Sequence, residues 1–337
     1  MNLFNFGNIK IFILKKIRSI FRSFEKKEDK VLDQIIYENW KKRTDCQNLL
    51  WKNEVSDSKY LPKSLAICIC FFYNESNFEN LKEVCKNLSN LAQEIDVTII
   101  TNENNEAKLR KLHDHINQEI EYFNIHNVLE KYHPFLLPWA HFDIMKKKVA
   151  NDKFTHFLFI EDDILISKKN VIYWVKSREA LRPFNLIPAF LRTELKKSEN
   201  NVYSTDALKK VKFDQMPKVF SSQNDLAFTN VGKDSSYQGC YFMDKDLMLE
   251  HLNGPSSQPD YGFFKKEIRE NFPTREKANL GLMYADVPFG FLNRHVVPVS
   301  INKKKVYDYC LIKHLSNRFV NDENSKHGKI KINELFY

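Results

Sequence analysis

The chain has 337 residues, of which 43% are hydrophobic, which is enough for one large α/β domain or two ordinary ones. Only 8 residues are glycine, and neither GxxxxGK(S/T) nor GxGxxG occurs, so a glycine-rich phosphate loop is not expected. The net charge of +9 is concentrated in residues 1–27, which hold seven Lys and Arg against one Glu. The remainder is nearly balanced and predicts no nucleic-acid partner.

The six cysteines show no CxxC spacing and are interpreted as reduced thiols of the core. No secretory signal with a small-residue cleavage site is present, and no apolar run approaches the ~18 residues of a membrane span. We therefore expect a cytoplasmic protein.

The N-terminal segment has the pattern of a basic amphipathic helix, with apolar and cationic side chains on opposite faces. Such a helix favours the surface of an anionic membrane, although a terminal helix packed on its own domain is the alternative. We predict that residues 1–60 form a helical extension, that residues 1–27 anchor it, and that the protein is peripheral on the inner face of the cell membrane. The apolar face comprises Ile13, Ile17, Ile20 and Phe24, and the basic face Lys15, Arg18, Arg22 and Lys26.

Strand and helix patterns then alternate within a compact domain that is predicted to cover residues 61–325. An apolar run at 65–72 leads through a polar tip to a helix at 77–92, and a second strand at 97–101 leads to a helix at 105–120. Two successive strand-to-helix units predict an α/β fold with a parallel sheet and helices on its faces.

Polar residues follow the predicted strands at their carboxyl ends, which is where ligands bind in such sheets. The ends should crowd one edge of the sheet, so we expect their side chains to contact one ligand. The predicted ligand-contacting residues are Phe72, Tyr73, Asn74, Glu75, Thr101, Asn102, Glu161 and Asp162.

The stretch FTHFLFIEDDILIS, residues 154–167, carries the most distinctive chemistry. A buried strand at 157–160 ends in three consecutive carboxylates, Glu161, Asp162 and Asp163. Adjacent acids repel one another unless a positive charge lies among them, and Mg²⁺ or Mn²⁺ prefers such oxygen ligands together with substrate phosphate. An acidic turn at an exposed sheet edge is the alternative interpretation.

An aromatic segment with two prolines, residues 132–148, separates the second strand from the acidic one. A helix is predicted to begin near Trp139 and to run into the lysines, bringing Trp139 and His141 toward the same edge. Ordinary packing or capping is the alternative role for His141.

A parallel sheet with an acidic triplet at a strand end resembles the GT-A family of nucleotide-sugar glycosyltransferases, in which a DxD-type motif holds a metal against the donor diphosphate. The first acid here, Glu161, departs from a strict DxD. The stretches IPAFLRTE, REKANLGL and VPFGFLNRHVVP also resemble bacterial polysaccharide and lipopolysaccharide sugar transferases. The resemblance covers residues 62–320 and implies a GT-A type, Rossmann-like fold with a mixed, mainly parallel sheet.

The family order implies roles for later residues. Gly239 would lie in a loop beside the donor, Glu276 would be the base that activates the acceptor, with Arg275 beside it, and His314 would complete a metal site with Asp163 and Glu161. Other candidates for the base are Asp260, Asp286 and Glu194. Arg192 and Arg275 could bind phosphate or sugar hydroxyls, or pair with Glu194 and Glu276.

The resemblance implies a hexosyltransferase that uses Mn²⁺ or Mg²⁺ and a nucleotide sugar, with a UDP-sugar as the first expectation. The acceptor would be a glycan or a lipid-linked saccharide in the synthesis of cell-surface polysaccharide or lipopolysaccharide. A sugar-phosphate nucleotidyltransferase and a catalytically inactive glycan-binding or scaffold protein at the membrane surface are the alternatives. Residues 326–337 are predicted as a C-terminal tail with a short alternating strand pattern.

Overall fold

A computed structural model of the chain describes residues 58–120, 123–128, 133–221, 225–232, 237–259 and 272–337. The predicted N-terminal extension lies outside the described residues except for a 3-10 turn at Ser58–Tyr60, and its basic face lies wholly outside them. None of the helices in the described ranges is both long and apolar enough to cross a bilayer.

Fifteen strands and seven α-helices are present in the described residues, and both sets are numbered in chain order. The strands are β1 (Ser64–Phe71), β2 (Glu94–Thr101), β3 (Phe123–Asn127), β4 (His156–Glu161), β5 (Ile164–Leu165), β6 (Ile187–Pro188), β7 (Leu191–Lys196), β8 (Asn201–Ser204), β9 (Lys218–Phe220), β10 (Ala227–Thr229), β11 (Cys240–Asp244), β12 (His295–Ser300), β13 (Lys305–Val306), β14 (Leu311–His314) and β15 (Ile330–Lys331). The helices are α1 (Phe78–Leu88), α2 (Glu106–Ile116), α3 (His141–Ala150), α4 (Lys168–Leu181), α5 (Lys245–Asn253), α6 (Thr274–Lys277) and α7 (Arg318–Asn321).

The central sheet has the order β11-β4-β1-β2-β3, with β4, β1, β2 and β3 parallel and β11 antiparallel to β4. All eight residues of β1 are buried, as its continuous apolar sequence requires of a strand covered on both faces. The sequence prediction of a mixed, mainly parallel sheet flanked by helices is therefore confirmed, and the arrangement is Rossmann-like.

The helices that cover this sheet bury apolar stripes at helical spacing. Helix α1 buries Phe78, Leu81, Val84, Cys85 and Leu88 and packs against α2, while α3 packs against β1 and α5. The predicted helices at 77–92 and 105–120 are present but end about four residues earlier, at Leu88 and Ile116.

Two smaller sheets adjoin the central one. One has the order β13-β12-β10-β9, with β6 also paired to β12, and the other has the order β15-β8-β7-β14-β5. The second of these contains the predicted C-terminal tail, because β15 pairs with β8 and Leu335 lies fully buried in the main hydrophobic cluster. The tail at 326–337 is thus packed into the core of the domain and is not separate from it.

Four histidines that are buried or half-buried make the stability of this fold depend on pH. Burial lowers the pKa of His141, His251 and His295 to about 3 and that of His156 to about 4. An unfolded histidine titrates near ~6.5, so the unfolded chain binds more protons than the folded chain below that pH. The stabilisation is present above that pH and lost on acidification, by about 1.4 kcal/mol per pH unit for each ring.

Three carboxyl groups oppose this trend, because burial raises the pKa of Glu161, of Asp162 and of Asp206. Three groups can offset much, but not all, of the effect of four histidines, because each carboxyl group takes up at most one proton. We therefore expect the free energy of unfolding, measured in urea, to decrease between pH 6 and pH 5. A free energy that stays constant or increases over this interval would contradict the assignment of four neutral rings.

Candidate functional site

The acidic triplet forms the connection between two sheets. Glu161 is the last residue of β4 and aligns with Cys70 of the neighbouring β1, and Asp162 and Asp163 then lead directly into β5. Strand β5 pairs with β14, which in turn pairs with β7. The turn therefore lies at the carboxyl ends of the central strands, and its flanks are set by the second sheet.

The tips of the other central strands lie at the same edge, as predicted. Phe71 aligns with Thr101 across β1 and β2, and the backbone N–H of Tyr73 donates to Asn102 Oδ1 at 2.7 Å. Phe72 follows β1 with 54% of its surface exposed, whereas Thr101 is fully buried.

The remaining residues of this tip are engaged with one another or with nearby helices. Asn74 accepts a hydrogen bond from Ser76 N and caps a 3-10 turn, and the Glu75 carboxylate pairs with Lys111 of α2 at 2.5 Å. Phe72 is thus the large apolar side chain that is exposed at this end of β1.

Glu161 is turned toward protein partners. Its Oε1 accepts hydrogen bonds from Tyr237 Oη at 2.5 Å and from Asn279 Nδ2 at 2.6 Å, and its backbone N–H donates to Gly239 O at 3.0 Å. Burial raises the pKa of Glu161 even though Arg192 lies close enough to oppose the shift. Glu161 therefore connects β4 to the segments that carry Gly239 and Asn279.

Asp163 is held from the opposite side by a buried chain of side chains. His314 Nε2 lies 2.9 Å from Asp163 Oδ2, and His314 Nδ1 lies 2.5 Å from Glu194 Oε1. Glu194 Oε2 accepts the backbone N–H of Val320 at 2.8 Å. Burial acts to lower the pKa of His314, but the bonds to Asp163 and Glu194 raise it overall, and His314 lowers the pKa of Asp163 despite its burial.

Asp162 lies between these two held carboxylates and lacks comparable support. Its Oδ2 is buried and has no hydrogen-bond partner in the part of the chain that the structure describes. Burial, Asp163 and Glu161 raise its pKa well above the ordinary value. A buried carboxylate oxygen without a donor is costly, so Asp162 Oδ2 is a candidate for contact with a positively charged or hydrogen-bonding ligand.

Arg192 has a structural role here. It is 4% exposed, its Nη2 lies 3.0 Å from Asp206 Oδ1, and its guanidinium lies 5.1 Å from the centre of the Tyr237 ring. Both predictions for Arg192, phosphate binding and pairing with Glu194, are therefore corrected. The ion pair supports Tyr237, and Tyr237 supports Glu161.

Two residues of the aromatic segment are buried and do not offer a ligand surface. His141 is fully buried, its Nδ1 contacts Pro138 O, and its ring stacks on Phe159 at 3.9 Å between centroids. Trp139 is 3% exposed and donates from Nε1 to Thr274 O at 2.9 Å. The prediction that Trp139 and His141 contact the ligand is therefore corrected. Both side chains lie in the core, His141 against β4 and Trp139 against α6.

Helix α6 brings the predicted acceptor-side residues next to the acidic turn. The side chain of Asn279 donates to Glu161, and its backbone N–H donates to Glu276 O at 3.0 Å. The Glu276 side chain is 31% exposed. Arg275 lies 3.9 Å from Glu276 and 5.7 Å from the exposed ring of Phe135. Both residues thus lie at the rim of the site.

The other predicted candidates for the base fit less well. Glu194 is buried and bonded to His314 and Val320, so its carboxylate is not accessible to an acceptor. Asp286 is exposed, and its backbone oxygen accepts from Asn185 beyond the end of α4. Asp260 lies outside the described residues.

The predicted three-residue metal site is not assembled. Across the described ranges, no group of three or more His, Cys, Asp or Glu side chains is arranged to hold a metal ion. Glu161 is bonded to Tyr237 and Asn279, and both ring nitrogens of His314 face carboxylates. Mg²⁺ and Mn²⁺ need only one or two protein carboxylates beside substrate phosphate. Asp162, whose Oδ2 has no partner among the described residues, and Asp163, whose side chain is 17% exposed, fit that mode.

One residue of the site gave no sequence signal. Arg318 is exposed and lies over the Phe319 ring at 4.8 Å, and no carboxylate of the described residues lies within ion-pair distance of it. Its positive charge is a minor influence that opposes the burial-raised pKa of Asp162 and adds to the lowering of the pKa of Asp163 by His314. Its neighbour Asn317 has a positive φ of 47°, and the Asn317 side chain accepts a hydrogen bond from the backbone N–H of Leu195. Together these features set the direction of the chain at Arg318. Only the tertiary structure reveals that this cation acts on the acids.

The contact of Gly239 with the acidic turn can be tested by substitution. Gly239 has φ +64°, and an added Cβ would lie 2.9 Å from Glu161 Oε2 and 3.1 Å from Ile164. Gly290 has φ +84° with no atom within 4 Å of its Cβ position, so it is a matched control for backbone strain alone. We expect Gly239→Ala to lower the free energy of unfolding by about 1 kcal/mol or more beyond Gly290→Ala. Equal losses in urea unfolding would contradict the close contact.

No family model matches the chain, and neither does any curated protein sequence. Solved structures that resemble it include a mannosyltransferase from Pyrobaculum calidifontis in complex with GDP-Man and Mn²⁺, at a TM-score of 0.35 and 9% identity, covering 85% of this chain and 65% of that protein. A CMP:2-keto-3-deoxy-manno-octonic acid synthetase complexed with CTP gives 0.32 and 12%, covering 61% and 84%. The bifunctional glycosyltransferase WbbM gives 0.25 and 13%, covering 38% and 23%. These scores are too low to support an argument about function.

Proposed function

We propose that the protein is a glycosyltransferase that moves a sugar from a nucleotide-sugar donor to a hydroxyl group of its acceptor, at the edge formed by the acidic turn. The observation that carries the proposal is the buried, unpartnered Asp162 oxygen between Glu161 and Asp163, at the carboxyl ends of parallel strands. Ligands of open α/β sheets bind at this edge, and a divalent cation supplies the positive charge that both these acids and a donor diphosphate need.

Asp163 and Asp162 would hold Mn²⁺ or Mg²⁺, which when bound would stabilise the negative charge that develops on the departing diphosphate. Glu161 serves this arrangement by fixing the turn, through Tyr237 and Asn279, rather than as a ligand. Arg318 is our candidate to bind the diphosphate, because it is exposed, has no ion-pair partner among the described residues, and carries a positive charge that acts on both Asp162 and Asp163. The exposed Phe72 ring is suited to contact the base or ribose of the donor.

Glu276 is our candidate for the base that accepts a proton from the acceptor hydroxyl. Its carboxylate is partly exposed at the rim, on the helix that leads to Asn279 and therefore to Glu161. Arg275, exposed beside it on the Phe135 ring, is placed to bind the acceptor. This division puts the donor on the Asp163 side of the turn and the acceptor on the Glu276 side.

Nucleotide binding tests the proposal directly. We expect Mn²⁺ together with UDP, GDP or CMP to raise the melting temperature of the protein, because a ligand that binds only the folded state stabilises it by mass action. Asp163→Asn should abolish the metal-dependent part of the shift, whereas the control Asp246→Asn, an exposed acid paired with Arg182, should retain it.

The same measurement separates the alternatives that the sequence left open. A nucleotidyltransferase should respond to a nucleoside triphosphate more strongly than to a nucleoside diphosphate. A scaffold or glycan-binding protein should respond to neither. The absence of any metal-dependent shift with all of these nucleotides would contradict the proposal.

The proposed role of Glu276 as the base is tested by an assay of turnover. A screen of UDP- and GDP-sugars for release of the nucleotide identifies a usable donor, and the Glu276→Gln variant is then compared with wild type. We expect kcat to fall by about 10²-fold or more with little change in the KM for the donor, because the amide keeps the shape but loses basicity. Glu334→Gln, at an exposed acid paired with Lys210, is the control. Turnover close to wild type would rule out this assignment.

We also propose that residues 1–27 bring the domain to an anionic membrane surface on the cytoplasmic side, which would suit a lipid-linked acceptor in the synthesis of cell-surface polysaccharide or lipopolysaccharide. The support is the charge of this segment, seven cations against one acid. Deletion of residues 1–27 should release the protein from phosphatidylglycerol vesicles in a flotation assay. Undiminished binding of the truncated protein would contradict the proposal.

A further inference from the structure

Glu194 and His314 form a buried pair beside the acidic turn that the proposed chemistry does not yet use. Glu194 lies on β7 and His314 at the end of β14, and these parallel strands are paired up to Lys313 and Thr193. Their contact is therefore a direct product of strand register. The same register places His314 opposite Ile164, the first residue after Asp163.

The hydrogen bonds of this pair fix the position of a third side chain, the carboxylate of Asp163. The Glu194 carboxylate is fully buried and uses both oxygens, Oε1 at 2.5 Å from His314 Nδ1 and Oε2 at 2.8 Å from Val320 N. This fixes the imidazole so that Nε2 lies 2.9 Å from Asp163 Oδ2. The Phe319 ring stacks on the imidazole at 5.4 Å between centroids, and Ser316 Oγ lies 3.1 Å from Nε2.

A backbone hydrogen bond also holds Asp163 in place. The N–H of Leu315, next to His314, donates to Asp163 O at 2.8 Å. Asp163 is thus held through its main chain and one carboxylate oxygen by two consecutive residues, while its side chain stays 17% exposed to solvent. A carboxylate fixed in this way can present its remaining oxygen in one orientation.

We infer that Glu194 and His314 are positioning residues that orient the Asp163 carboxylate for the cation and diphosphate, and that His314 is not itself a metal ligand. The inference rests on the proposed function. It replaces the role that the resemblance implied for His314, because both ring nitrogens already face carboxylates. Partners in the second coordination shell commonly change metal affinity by about 10–100-fold.

The affinity for Mn²⁺ measured by calorimetry, in the presence of saturating UDP or of whichever nucleotide stabilises the protein most, tests this role. We expect Glu194→Gln to weaken Mn²⁺ binding by about 10-fold or more, with the affinity for the nucleotide alone unchanged. Glu199→Gln, at a partly exposed acid of the same β7–β8 hairpin that pairs with Lys196, should bind Mn²⁺ as wild type does.

Two substitutions of His314 separate positioning from ligation. Gln carries an N–H near the position of Nε2 and can still donate to Asp163, whereas Leu cannot. We expect His314→Gln to retain Mn²⁺ affinity within about threefold of wild type and His314→Leu to lose about 10-fold or more. Equal losses in the two variants, or an unchanged affinity in Glu194→Gln, would overturn the inference while leaving the proposed function intact.

The wild-type protein provides the remaining distinction. If it binds neither Mn²⁺ nor any nucleotide, the proposed function is wrong and the inference is overturned with it. If it binds both and the Gln and Leu variants differ as expected, both stand. Thermal unfolding of each variant without ligand identifies a variant that fails to fold, and the comparison then relies on the remaining pair.

Discussion

The structure depends on the burial of charge where one sheet passes into another. Only Asp162 and Asp163 separate the central strand β4 from β5 of the second sheet, so the chain must place carboxylates next to the core. Burying a carboxylate is costly unless donors or opposite charges surround it. Tyr237 and Asn279 on one side and His314 on the other provide these partners for Glu161 and Asp163, and Asp162 is left without one among the described residues.

The supporting side chains form two buried groups that stiffen the turn from opposite sides. The Arg192–Asp206 ion pair lies beneath Tyr237 and hence beneath Glu161, while Glu194 lies behind His314 and hence behind Asp163. Because removing one partner of a buried pair leaves the other charge uncompensated, each group resists distortion of the turn. A rigid turn with one unsatisfied oxygen is suited to bind a ligand in a defined orientation.

The fold could be predicted largely from local patterns. The apolar run of β1, the acidic end of β4 and the alternation with helices led to the correct sheet and to the correct edge, because strand period and burial are encoded locally. The partners of the acids could not be predicted in the same way. The bonds from Tyr237 and Asn279 to Glu161 span 76 and 118 residues, and the bond between His314 and Glu194 spans 120.

Sequence reasoning failed where a residue type had two common roles. Trp139 and His141 carry groups typical of ligand contacts, but packing against β4 and α6 takes them into the core. Arg192 has a side chain suited to phosphate, but in the fold its guanidinium is paired with Asp206, fourteen residues later in the chain. Arg318 belonged to no sequence motif, and its electrostatic influence on the acids follows from the tertiary structure. Glu276 and Gly239 were predicted from the order of motifs in the resembled family. The structure brings Gly239 against Glu161 and Glu276 near Asn279, and the roles of both residues stay predictions.

The location of a bound cation tests the central claim most directly. Crystals of the protein with Mn²⁺ and a nucleoside diphosphate, measured at an X-ray wavelength where manganese scatters anomalously, would reveal the ion independently of any assumed coordination. The account predicts one anomalous peak at coordination distance from a carboxylate oxygen of Asp163, with the diphosphate on its far side. A bound nucleotide whose cation and phosphates lie away from the acidic turn would contradict it.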